Sequence, residues 1–194
     1  MTGKRASRPN DSPAKRMRPA RRKAVWPWIA GGILIVGLVG ALAVFLVNRS
    51  TNQPTSVQRF PIQGQQHIPL GQTHPAYNSD PPTSGWHYDS PLTSGFHEQP
   101  AADEQMVHNL EHGHVVVYYD CSKLTDCQGV KDKLQQLAER YRNWKVTIVP
   151  RQNADTALAV AAWGTLDKLD NYDEARITAF ISAWRDRGPE RTED

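Results

Sequence analysis

From Val25 to Val47 the chain reads VWPWIAGGILIVGLVGALAVFLV, 23 residues without a charge. As a helix rising 1.5 Å per residue, such a run reaches about 34 Å, enough to cross a hydrocarbon core of about 30 Å with some tilt. Trp26 and Trp28 stand where an interfacial aromatic belt belongs, just after Arg21, Arg22 and Lys23. Residues 1–24 hold nine Lys/Arg and one acid, a net of +8. By the positive-inside rule that end is expected in the cytoplasm. A cleaved signal peptide is the competing reading. The long basic region, the long apolar run and the lack of a small-residue cleavage pattern after Val47 favour an uncleaved anchor. Gly37 and Ala41 form a small-xxx-small pair, a weak signal for helix pairing.

The expected organisation follows. Residues 1–24 are a basic cytoplasmic tail, too polar to bury a core and so disordered. Residues 25–47 are a transmembrane helix, and 48–60 a polar linker. Residues 61–190 form one extracytoplasmic domain, so the chain is a single-pass protein of the cell membrane. Beyond residue 24 the chain carries 14 basic and 19 acidic residues, a net of −5. A mildly acidic domain has no basic face to neutralise phosphates, and no nucleic-acid partner is expected. The membrane, through residues 25–47, is the one partner the sequence names.

Residues 61–100 are rich in proline and glycine without a lasting period, which predicts a long ordered loop. Asp103 to His112 suits a short helix with acids in its first turn and Gly113 after its end. His114 to Tyr119 (HVVVYY) reads as a strand. Val130, Leu134, Leu137, Ala138 and Tyr141 recur at helical spacing, predicting a helix near 128–142. Lys145 to Val149 is a second strand, and Ala157 to Trp163, stopped by Gly164, a third. Ile177, Phe180, Ile181 and Trp184 mark a last amphipathic helix closed by Gly188 and Pro189. The expectation is an α+β fold: a small two-layer domain with about three strands, two to three helices and the long loop.

All seven histidines fall between positions 67 and 114: His67, His74, His87, His97, His108, His112 and His114. Neutral imidazole is the commonest protein metal ligand, and confinement to one segment is a stronger signal than a scattered set. All-imidazole sites suit zinc or copper. Calcium is not expected, because the carboxylates lack the spacing of its binding loops. His67, His74, His87, His108 and His112 are the leading candidate metal ligands, with His97 and His114 weaker. Two further patterns refine this set. Thr83-Ser84-Gly85-Trp86-His87 recurs ten residues on as Thr93-Ser94-Gly95-Phe96-His97, so turn residues could present two imidazoles alike. His108 and His112 lie four apart, able to share a helix face and chelate one ion. His108-Asn109-Leu110-Glu111-His112 also spells H-x-x-E-H, which makes Glu111 a candidate general base of a metal hydrolase.

Cys121 and Cys127 are the only cysteines, and outside the membrane a disulfide between them is expected. Their spacing is not C-x-x-C, which argues against a thioredoxin-type redox role. No Gly-rich phosphate loop and no G-x-S-x-G elbow is present.

Pro82 to Tyr88 (PTSGWHY), Val107 to Gly113 (VHNLEHG) running into Val115 to Tyr119, Ala162-Trp163-Gly164 and Gly188-Pro189-Glu190 together resemble a bacterial family known as domain of unknown function 3105. The resemblance covers roughly residues 60–190. It implies an N-terminal anchor, as read above, and carries no settled activity. His67, His74, His87, His108, Glu111 and His112 fall in its motif regions. His97 and His114 are less typical of it, and Trp86 stands where its pattern has proline.

Three functions are compatible with these residues. The first is a membrane-anchored extracytoplasmic domain binding a transition metal through its histidines. The second is a metal-dependent hydrolase with Glu111 as general base. The third is a non-catalytic binding or scaffolding domain of the cell envelope with structural histidines. The residues leave enzyme or non-enzyme open.

Overall fold

The computed structural model describes residues 56–193. The expected tail and the apolar run at 25–47 lie outside the described residues. Among those described, no helix is long and apolar enough to cross a membrane.

The elements are β1 (Gln58–Arg59), β2 (Gly95–Phe96), α1 (Asp103–Glu111), β3 (Val115–Tyr119), α2 (Cys127–Arg140), β4 (Val146–Pro150), β5 (Leu158–Ala162), β6 (Thr165–Leu169) and α3 (Glu174–Trp184). The strands form one six-stranded mixed sheet in the order β1-β6-β5-β3-β4-β2. β3 and β4 are parallel, joined by the crossover helix α2, and β2 is parallel to β4 on its other side. β5 runs antiparallel to β3, β6 to β5, and β1 to β6. The expected α+β class stands. The expected strand number of about three becomes six, and β1 falls within the stretch assigned to a linker.

The centre of the sheet is covered on both faces, so the two-layer expectation gives way to three layers. Every residue of β3 is buried. Val115, Val117 and Tyr119 pack with Val130, Leu134 and Leu137 of α2 and Ile177, Phe180 and Ile181 of α3. Val116 and Tyr118 pack on the other face with Met106 and Leu110 of α1. A strand buried on both sides has no polar face, which is why HVVVYY shows no alternation.

β6 was not expected because Asp167 and Lys168 interrupt its apolar pattern. Asp167 is 1% exposed, and its carboxylate accepts bonds from Arg176 and from Ser56. A charge is tolerated in the strand because it is paired. Asp126 caps α2 by accepting from the Gly129 amide, and Asp173 caps α3 by accepting from the Arg176 amide. α3 ends at Trp184, before the expected Gly188-Pro189 stop, and those two residues have another task described below.

The 61–100 segment is irregular, as expected, except that β2 within it joins the sheet, and hydrogen bonds hold it in place. His67 and His87 form an isolated parallel bridge: the Ile68 amide donates to the His87 carbonyl at 2.8 Å and the His87 amide to the Gln66 carbonyl at 3.0 Å. The Tyr77 hydroxyl donates to the Trp86 carbonyl at 2.7 Å. Arg151, just after β4, pairs with Asp103 at the start of α1 and with Asp80 of the loop at 2.6 Å. The loop is thereby tied to the helix that carries the next set of histidines.

Candidate metal centre

The backbone bridge brings His67 and His87 side by side, and α1 supplies the remaining donors. His108 and Glu111 lie three apart in the last turn of α1, on one face of the helix. Gly113 ends the helix just beyond them with φ +83°, a conformation in which a side chain is strained. One ligating atom from each of His67, His87, His108 and Glu111 lies within 4.8 Å of all the others. This His3Glu cluster could hold a metal ion. His87 is 0% exposed, Glu111 3% and His108 4%. His67, with 46% of its side chain exposed, forms the rim.

The hydrogen bonds define which nitrogens are available. His87 Nδ1 lies 2.7 Å from the Gly85 carbonyl oxygen, and His108 Nδ1 2.7 Å from the Tyr88 carbonyl oxygen. A carbonyl only accepts, so each Nδ1 carries the proton, and the proton-free nitrogen of the neutral ring is Nε2. Such second contacts orient metal-ligating histidines and select their tautomer. His87 Nε2 lies 2.9 Å from Glu111 Oε2, and His67 Nε2 lies 3.3 Å from the same oxygen. In its neutral form His87 therefore turns a lone pair toward a buried carboxylate. Two acceptors at that distance repel unless a cation, a proton or a metal, lies between them. Burial first, and then the neighbouring charge of His112, lowers the proton affinity of His108 against the opposing bond to Tyr88. The neutral ring, the form that ligates metals, is the one favoured at neutral pH.

The other histidines are placed elsewhere. His74 donates from Nδ1 to the Pro75 carbonyl at 2.8 Å, and its Nε2 meets Glu104 at 3.1 Å near the start of α1. His112 follows the helix as its C-cap. Its ring centroid is 4.4 Å from that of His108, and its Nε2 lies 3.6 Å from Glu190. The pair expected to chelate from one helix face stays in contact, with the His112 amide bonded to the His108 carbonyl at 3.1 Å, but His112 lies outside the four-donor set. His97 bonds the Thr93 carbonyl at 2.8 Å on the surface. His114 is buried, and its Nδ1 accepts from the Asn109 amide at 3.0 Å. Glu111, expected as a general base, lies within the donor set.

The groups that support these donors stand outside the histidine pattern. The carbonyls of Gly85 and Tyr88 carry no residue-type signal. The segment after α3 carries one, Gly188-Pro189-Glu190. It runs against the turn that ends α1: the Asp186 amide donates to the Gly113 carbonyl at 2.8 Å, and the Glu190 amide to the Glu111 carbonyl at 3.1 Å. A Cβ on Gly188 would stand 2.1 Å from the Glu111 carbonyl oxygen, so only glycine fits. Lys145, 0% exposed, anchors the same segment through Asp186 at 2.8 Å and the Thr192 carbonyl at 2.7 Å. Cys121 and Cys127 are joined in a disulfide, as expected, with their Cα atoms 5.1 Å apart.

No curated protein and no solved structure matches the chain. A family model described as a protein of unknown function (DUF3105) matches residues 69–194, and the chain belongs to that family.

Proposed function

We propose that this DUF3105 member binds one transition metal ion through His67, His87, His108 and Glu111, in a domain held outside the cell by an anchor at 25–47. The observation that carries the reading is the convergence of buried acceptors. Nε2 of His87 faces the Glu111 carboxylate while its Nδ1 is committed to a carbonyl. Three imidazoles and one carboxylate form a donor set that suits zinc or copper. A bound ion of this kind supplies a Lewis-acid or redox centre. The protein's own residues fix the rings, exclude water from three of the four donors, and leave an approach on the His67 side.

Glu111 separates this reading from a hydrolase. As a ligand, its replacement by glutamine weakens metal binding; as a general base, the same change leaves binding intact and removes turnover. Its place inside the cluster favours the ligand role. The test is a competition titration of the full-length chain with zinc and with copper, beside Glu111→Gln. We expect stoichiometric uptake by the parent and at least tenfold weaker binding by the variant. Uptake of neither metal would remove the proposal, and stability indifferent to chelator would favour a scaffolding domain.

A further inference from the structure

Glu111 stands where a helix disfavours it. It is the last residue of α1, and the macrodipole opposes a negative side chain at a helix C-terminus. The last turn also frays unless its outward carbonyls find donors. Three of the last four are closed by the chain that follows at once. The His108 carbonyl accepts from the His112 amide at 3.1 Å, Asn109 from His114 at 2.9 Å, and Leu110 from Gly113 at 3.0 Å. The fourth, on Glu111 itself, accepts from the Glu190 amide at 3.1 Å. The backbone of the one acidic donor is therefore closed by a segment from the far end of the domain.

That segment is fixed by a buried cation. Lys145 stands just before β4, and its carbonyl accepts from the Val115 amide at 3.0 Å, so its backbone belongs to the sheet. Its side chain is fully buried, which is costly for an ammonium unless it is paired. Nζ donates to Asp186 Oδ1 at 2.8 Å and to the Thr192 carbonyl at 2.7 Å. These two attachments bracket Gly188 and Glu190, the residues that meet the end of α1. At Gly188 the approach leaves no room: a Cβ would stand 2.1 Å from the Glu111 carbonyl oxygen and 2.3 Å from the Gly113 nitrogen.

We propose that residues 186–192 are a strap that holds Glu111 in the metal centre, and that Lys145 is a positioning residue acting through it. The inference rests on the metal reading and adds what makes Glu111 a ligand. With the strap released, the Glu111 carbonyl loses its donor, the last turn of α1 loosens, and the carboxylate leaves the imidazoles. The histidines stay. His67 and His87 are joined by their backbone bridge, and the His108 ring is bonded to the Tyr88 carbonyl. Loss of the strap therefore removes one donor of four and resembles Glu111→Gln, not His87→Ala.

The test is a double-mutant cycle on the full-length chain, read by competition titration with zinc and by the visible spectrum of bound cobalt. Lys145→Met removes the ammonium at similar volume. Gly188→Ala lifts the strap by overpacking and touches neither Lys145 nor the core. Each is expected to weaken zinc binding at least fivefold in the parent and less than twofold in the Glu111→Gln background. Cobalt in either variant is expected to give the spectrum of the Glu111→Gln chain. A segment that serves stability alone lowers affinity by the same factor in both backgrounds, and that result would overturn the inference. So would parent-like affinity, or a parent-like cobalt spectrum, in both variants. If Lys145→Met does not fold, Gly188→Ala decides by the same criteria. Failure of the metal reading looks different: the parent itself takes up neither zinc nor cobalt, and the strap inference falls with it.

Discussion

Thr83–His87 and Thr93–His97 share four of five residues, and one backbone feature as well: Gly85 and Gly95 take φ of +125° and +118°. Their fates differ. The first copy is buried beside α1, with Thr83, Ser84 and His87 each 0% exposed, and it delivers His87 to the Glu111 carboxylate. The second forms β2 at the edge of the sheet, pairing with Thr147 and Ile148 of β4, and its histidine turns back to Thr93. Each copy sets its glycine at a similar positive φ. What lies opposite the bend, a carboxylate in one case and a sheet edge in the other, decides which imidazole belongs to a site.

That contrast can be broken by matched substitutions. The largest difference is expected in metal affinity. His87→Ala should weaken zinc or copper binding by at least 100-fold in a competition titration, while His97→Ala leaves it within twofold. Equal losses would mean that the copies are not distinct. Next in size are the glycines. An alanine Cβ at Gly85 would stand 2.9 Å from a Tyr77 ring atom whose hydroxyl is itself bonded to Trp86, whereas at Gly95 the nearest atom is 3.5 Å away, on Asn143. Both changes strain the backbone, and only the first also overpacks. Gly85→Ala should cost about 3 kcal/mol and Gly95→Ala about 1–2 kcal/mol by denaturant unfolding.

The proton affinity of His108 sharpens the same comparison. Burial, followed by the charge of His112, holds its folded-state value below the ordinary 6.5. The unfolded chain therefore takes up that proton first. Stability present above about pH 6.5 is lost as pH falls toward the folded-state value, and metal is released in the same range. Thermal unfolding across pH 5–8 checks this; no loss of stability on acidification, or a loss unchanged in His108→Gln, would contradict it. The smallest contrast is in the serines. Ser84 Oγ accepts from the Gln63 amide at 3.1 Å in a buried position, so Ser84→Ala should cost about 1 kcal/mol. Ser94→Ala should fall within about 0.5 kcal/mol of the parent.

Much of the fold was legible because α2 and α3 carry helical periods and β3, β4 and β5 are short apolar runs bounded by turn residues. β6 was hidden by Asp167, whose partner Arg176 is nine residues away on the next helix. β1 and β2, two residues each, are too short to have a period. The third layer had a trace in the unbroken apolar run of β3, which reads equally as a buried strand in a smaller domain. For the candidate site, the segment was legible and the selection among its histidines was not. That selection rests on the bridge between His67 and His87 and on its approach to His108 and Glu111, and both depend on how a loop without periodicity returns against the helix. Glu111 was visible as a residue of chemical interest, but its role depends on contacts 24 and 44 residues away in sequence.

X-ray absorption at the metal edge tests the account most directly, on the full-length chain loaded with one equivalent of zinc and dialysed. The account predicts one retained ion with nitrogen and oxygen neighbours at about 2.0–2.1 Å and outer-shell scattering from three imidazoles, lost in His87→Ala. An ion not retained, or an identical shell in the parent and in His87→Ala, would contradict it.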